Sequence, residues 1–277
     1  MIRLCARLNA GNPDTVVAIA RRLGVWGVSL SLPTDARGAT AVGRALVGAG
    51  IRLVELEAPQ NLATPDPDRR AQAVDELRAA MQAAAAVGAL AVVTGPGHAD
   101  PDRGAEMRVP HPANLSEGAL DRLAETCRRV LVGPVPAGVR LLVEPAVLSP
   151  VGNLTRAAEA VRRVAHPAFG IAFAPARLAD LDNFYDNDSY MRRAVQQLGP
   201  AMAVVHARDV LLHPDGFSYR LAEEPVGRGG LAYTALLDAL AESEADVPVV
   251  VEHADDESLA AGVEYLRRAG EHLGLPL

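Results

Sequence analysis

Short apolar, β-branched runs alternate with longer amphipathic stretches eight times along the 277 residues. The runs open at Ile2, Val25, Ile51, Leu90, Val139, Gly170, Ala203 and Val247. Each is short and nearly free of polar positions, the pattern of a strand covered on both faces. The intervening stretches space their apolar residues at helical intervals. Val16, Ile19 and Leu23 do so in the first, and Val74, Leu77, Met81, Ala84 and Val87 in the third. Asn12-Pro13-Asp14 opens a helix that Gly24 closes, Ser116 caps another, and Asp255 and Asp256 lead the last. About 35 residues per unit is the size of a strand–helix crossover unit. No composition break divides the chain. The reading is therefore an α/β protein of one domain over residues 1–277, a (β/α)8 barrel. An open doubly wound sheet is weaker, because no strand–helix junction carries a G-x-G-x-x-G fingerprint.

A net charge of −7 disfavours a surface built to neutralise phosphates, so nucleic acid is not expected as a partner. No apolar run reaches the roughly 20 residues that span a bilayer, and no charged-then-apolar leader is present, so a cytoplasmic location is expected. Cys5 and Cys127 fall in an apolar strand and on an apolar helix face, and both are read as buried thiols. Trp26 and Met81 are read as packing residues. A homo-oligomer is left open.

Three of the apolar runs finish in residues that ligate metals or move protons. Leu141-Leu142-Val143 leads into Glu144, Val204-Val205 into His206, and Val249-Val250-Val251 into Glu252. In a barrel the carboxyl ends of the strands form one rim. The three side chains are therefore expected within roughly 4–8 Å of a common point. Two carboxylates there can serve as base and acid for proton transfer next to a carbonyl, which makes Glu144 and Glu252 the catalytic candidates. Together with His206 they are also the candidate metal ligands. Four residues are candidates for substrate contact. Glu57 ends the third strand, Arg208 follows His206 by two positions, Arg177 follows the sixth strand, and His98 sits on the long loop from Gly95 to Pro112. That loop is read as a possible lid. Asp209 is expected to orient His206 or Arg208, and Gly227–Gly230 to form a tight turn.

With Leu141–Pro145, Gly170–Arg177, Val205–Asp209, Pro225–Gly230 and Val249–Glu252 in that order, nearly the whole chain resembles the xylose isomerase-like TIM barrels. These form the sugar phosphate isomerase/epimerase superfamily. The resemblance implies an isomerase, epimerase or related lyase acting on a small sugar or polyol carbonyl compound. It also implies a divalent cation (Mn, Mg or Zn) held by Glu, Asp, His and Glu at the ends of strands five to eight, with the two glutamates moving protons on opposite faces of the substrate carbon. Glu144, His206 and Glu252 match three of those ligands. The fourth departs. Where the family usually reads Asp-Pro-Gly-His, this chain reads Ala174-Pro175-Ala176-Arg177. Ala174 is expected to weaken the hold on the cation, and Arg177 to replace part of its charge by pairing with Glu144 or Glu252. A barrel that has lost catalysis and binds a small molecule or a partner is the alternative. The DNA-repair branch is disfavoured by the negative charge and the missing ligands.

Overall fold

In the computed structural model, residues 1–9, 11–31, 36–103, 109–215, 218–253 and 255–277 are described. Eight parallel strands close on themselves: β1 (Ile2–Leu8), β2 (Gly27–Ser31), β3 (Arg52–Glu57), β4 (Ala91–Thr94), β5 (Arg140–Val143), β6 (Phe169–Phe173), β7 (Met202–Ala207) and β10 (Val247–Val251). β1 pairs with both β2 and β10, which seals the barrel. The helices of the outer layer are α1 (Pro13–Leu23), α2 (Ala36–Gly48), α3 (Pro67–Ala86), α4 (Glu117–Leu131), α5 (Leu154–Val164), α7 (Asn187–Leu198), α8 (Tyr233–Glu242) and α9 (Asp256–His272). Their ends follow the side-chain chemistry. Asn12 accepts from the backbone N–H groups of Asp14 and Thr15, Gly24 is left-handed at φ 63°, and Ser116 and Asp255 cap α4 and α9. No helix among the described residues is long and apolar enough to cross a membrane.

The large apolar core packs strands against helices, whereas a smaller cluster of Cys5, Val54, Ala91, Val93, Leu142, Ala172, Val204 and Val250 joins residues of seven strands. Side chains two positions apart share a strand face. One step toward the carboxyl end from Cys5, Leu142, Ala172, Val204 and Val250 therefore come Arg7, Glu144, Ala174, His206 and Glu252. The interior thus changes from apolar to charged at one level, the rim.

Strand β3 reaches that level by an irregularity. Val28 pairs with Leu53 and Ser29 with Glu55, so Val54 is an extra residue opposite the step between them. A bulge of this kind re-aims the side chains that follow it. Val54 lies in the small interior cluster, and Glu55 nevertheless reaches across the barrel to His206 on β7.

Three segments differ from the sequence reading. The stretch from Asp209 to Glu224, where the sequence reading places no strand, is an antiparallel hairpin of β8 (Asp209–Asp215) and β9 (Ser218–Glu224). Its alternation is weak because most of its side chains are at least partly solvent-exposed. The stretch before Met191 is also structured. Asp180 and Asn183 form a reciprocal cap on the short α6 (Leu181–Tyr185), and α7 starts at Asn187. β2 begins at Gly27 rather than Val25, and Trp26 packs under the Arg3 guanidinium, 4.7 Å from ring centre to cation. Asp209 orients neither His206 nor Arg208 directly. Its buried carboxylate accepts backbone N–H groups of Val210, Gly227 and Leu231, which ties together both ends of the hairpin excursion. Gly229 passes so close that a Cβ there would lie 2.3 Å from the Asp209 oxygen. Residues 104–108 of the loop read as a lid lie outside the described residues.

Candidate functional site

Glu252, at the end of β10, is completely buried, a position a carboxylate tolerates only when paired. Arg7 of β1 donates to its Oε1 at 2.7 Å, and Arg208, just past β7, donates to its Oε2 at 2.7 Å. Arg7 also pairs with Glu57, and Arg208 with Glu223 of β9. Burial would raise the Glu252 pKa, but the charges of His206, Arg7 and Arg208 outweigh it and hold the carboxyl at about 2.

His206 sits at the centre with no exposed surface. Its Nε2 lies 2.8 Å from Glu55 Oε1, which also accepts from the Ser29 hydroxyl at 2.8 Å. Its Nδ1 faces the other way, 3.6 Å from Glu144 Oε1 and 3.7 Å from Glu252 Oε1, with no hydrogen-bond partner among the described residues. Burial would lower the pKa of the ring. Glu55 and Glu252, helped by Glu144, raise it well above the ordinary value instead. Glu144 follows the same balance. Burial pushes it up, and the nearby His206 ring, with the charge of Arg177, brings it below the ordinary carboxylate value. Arg177 meets Glu144 Oε1 directly through Nε.

The structure thus brings Glu144, His206 and Glu252 together at one rim, with Arg177 and Arg208 against the two carboxylates and Glu57 one ion pair away. A cavity of about 600 Å3 opens above them, and Arg7, Glu57, Glu144, Arg177, Arg208 and Glu223 supply its charged wall. His98 is not part of that wall. It is buried with its ring turned into its own loop, where Nδ1 accepts the Asp100 backbone N–H and its backbone N–H donates to Asn61.

Arg7, Ser29, Glu55 and Glu223 were not singled out from the sequence. Arg7 had a legible signal, a charge in the next-to-last position of an apolar strand, two steps past Cys5. Glu223 became visible only with the hairpin.

The donor set fits a divalent cation. Glu55, His206 and Glu252 can each offer a ligand atom, all within 4.8 Å of one another. The Nδ1 atom of His206 has the form of a ligand face, unpartnered between two carboxylates, while a carboxylate fixes the opposite ring nitrogen. Arg177 competes for the same space on the Glu144 side.

A closed (β/α)8 barrel with its charged constellation at the carboxyl ends of the strands defines the class of protein. The chain belongs to the family described as xylose isomerase-like TIM barrel, whose family model matches residues 17–269. Among solved structures it is similar to D-psicose 3-epimerase from Clostridium cellulolyticum H10, with a TM-score of 0.73 and 15% identity, covering 96% of this chain and 99% of that one. It is similar to 3-keto-D-glucoside 4-epimerase from E. coli at a TM-score of 0.73 and 16% identity, covering 97% and 100%. A xylose isomerase-like TIM barrel protein from Mycobacterium smegmatis, solved in complex with magnesium, matches at 0.68 and 17%, covering 96% of each chain. At these identities the likeness shows the fold. No curated protein sequence matches the chain significantly.

Proposed function

We propose that this barrel is an isomerase or epimerase, or a related lyase, acting on a small sugar or polyol carbonyl compound. The observation that carries the proposal is the pair of carboxylates, Glu144 and Glu252, set at 3.6 and 3.7 Å on either side of the same imidazole nitrogen below an open cavity. Glu144 in the wall of the cleft, with Glu252 behind the lining arginines, suits removal of a proton from a carbon next to a carbonyl, the carboxyl that takes the proton then returning it. Arg177, against Glu144, would face negative charge developing on the substrate oxygen. Glu55 would act through His206, holding its ring by Nε2 so that Nδ1 keeps its direction. Glu144, His206 through Nδ1 and Glu252 would hold a divalent cation such as Mn²⁺, Mg²⁺ or Zn²⁺. Such a cation, when bound, would polarise the substrate carbonyl.

The family likeness supports the reading, since the similar solved structures include two sugar epimerases. The test is hydrogen exchange. Ketoses incubated with the protein in deuterium oxide, with and without Mn²⁺, should exchange the hydrogen next to the carbonyl, read by NMR. Glu144→Gln and Glu252→Gln should each slow exchange by about 100-fold or more. A second reading, a barrel that binds without catalysis, is favoured by one observation: Ala174 stands where the family places an aspartate, and Arg177 occupies Glu144. Ligand-induced thermal stabilisation with no exchange for any ketose would decide for it.

A further inference from the structure

The charged wall of the cavity has donors to spare. Arg177 reaches Glu144 through Nε, and its Nη1 and Nη2 groups donate no hydrogen bond to any described residue. Arg208 uses Nε for Glu252 and Nη1 for Glu223, which leaves Nη2 in the same condition. Both side chains line the cavity, yet they are only 10% and 21% exposed. Arg7 differs, because Nη1 and Nη2 are taken by Glu252 and Glu57. A sheltered guanidinium with an open edge is suited to a planar oxyanion, which it meets with two parallel N–H donors.

The uncharged wall argues the same way. Its larger side chains are aliphatic, including Val93, Val147, Leu148, Val210 and Leu221, and no aromatic residue lines the cavity among the described residues. A sugar ring finds no aromatic face to stack on there. Few neutral polar side chains are available for a ring of hydroxyls; Thr94, Asn114 and Ser149 are the ones in the lining.

We infer that the ligand of this cavity carries a carboxylate: it is a hydroxy or keto acid of the sugar-acid class, held by the open Nη1/Nη2 edge of Arg177 and the single Nη2 donor of Arg208. This deepens the proposed function and rests on reading the cavity as the substrate site. A carboxylate fits better than a phosphate. The three lining arginines already face Glu57, Glu144 and Glu223, with Glu252 behind them, so a second negative charge on the ligand meets like charge. With the acid group on the arginines, the neighbouring carbinol or carbonyl carbon lies toward Glu144 and Glu252.

Calorimetric titration of the full chain with matched compounds tests this: glucuronate against glucose, gluconate against sorbitol, and glucose 6-phosphate as the phosphate probe. Each acid should bind at least about tenfold more tightly than its neutral partner, about 1.4 kcal/mol. Arg177→Lys and Arg208→Lys keep the charge beside Glu144 and Glu252 but remove the fork of the first and the Nη2 donor of the second. Each should reduce the acid preference several-fold, with circular dichroism confirming the fold of each variant. Neutral partners that bind as well as the acids, a phosphate that binds better than either acid, an acid preference untouched in both variants, or no binding by any of the five compounds would overturn the inference. The readout is binding alone. Acid preference without deuterium exchange would leave the inference standing and remove the enzyme reading, whereas exchange on neutral ketoses without acid preference would do the reverse.

Discussion

Glu252→Gln in chelator-treated protein is the perturbation whose size follows most directly from the site. The side chain is fully buried and yet ionised, because His206, Arg7 and Arg208 outweigh the cost of burial. A carboxyl held at about 2 against an ordinary 4.5 makes ionisation worth about 3 kcal/mol to the native state at neutral pH. A depressed carboxyl stabilises the fold above its unfolded value and ceases to do so as pH falls through its folded value. The contribution is therefore intact above about 4.5 and drains away between there and about 2. His206 has the opposite sign. Its raised pKa stabilises fully below its ordinary 6.5 and is lost only as pH rises through the elevated folded value, so it does not mask the acid limb. Glutamine keeps the shape and removes the charge. It leaves Arg7 to Glu57 and Arg208 to Glu223. Urea unfolding at stepped pH should show the variant about 3 kcal/mol less stable at neutral pH, in line with the cost of breaking a buried pair. The two proteins should converge toward pH 2. Parallel curves across the acid range would refute the account, since they would mean that the arginines contribute nothing specific to an ionised Glu252.

Ala174→Asp combined with Arg177→His should restore a fourth ligand and remove the competing cation, so calorimetry should show Mn²⁺ bound about tenfold or more tightly than by the unchanged chain; equal affinities would mean the aspartate is not needed. Gly97→Ala should destabilise the chain by at least about 1–3 kcal/mol from its left-handed backbone alone, because φ is 72° and a Cβ would lie 2.2 Å from Asn61 Oδ1. Thermal unfolding checks this, and an unchanged midpoint would show that the loop from Gly95 relaxes freely. Burial pushes the Cys127 thiol up to about 12 and Cys5 higher still, so neither should react with an aromatic disulfide at mildly alkaline pH until denaturant is added. Prompt release of the chromophore from native protein would reveal opening of β1 or α4.

The barrel was legible because burial on both faces writes each strand as an unbroken apolar run, and because the helix ends carry their caps in plain residues such as Asn12, Ser116 and Asp255. The rim was legible where a run of that kind stops on a charged or imidazole side chain, as at Glu144, His206 and Glu252. Glu55 escaped for a physical reason. The run Leu53-Val54-Glu55-Leu56-Glu57 alternates as though a single pleat continued, but the extra residue at Val54 changes which side chains face the interior. A bulge of this kind leaves no mark in residue type. The hairpin was missed because partial exposure of both its faces erases the period-two contrast. The burial of His98 was not legible, because a histidine on a Gly- and Pro-rich loop looks exposed, whereas its Nδ1 accepts the Asp100 backbone N–H within that loop.

The fastening of the hairpin to Asp209 has an implication for how this barrel can change. The excursion leaves at Val210 and returns by Gly227 and Leu231, and all three backbone N–H groups end on one carboxylate, Asp209, at the base of the hairpin two residues past β7. What lies between those fixed points can lengthen or shorten at little cost, since doubling a loop adds only about 0.6 kcal/mol of closure entropy. Val210, Leu221 and Glu223, which line the cavity, ride on that segment, whereas Glu144, His206 and Glu252 do not. The segment is therefore an interchangeable cassette. The shape of the cavity can be rewritten there by insertion, deletion or recombination while the charged rim stays as it is.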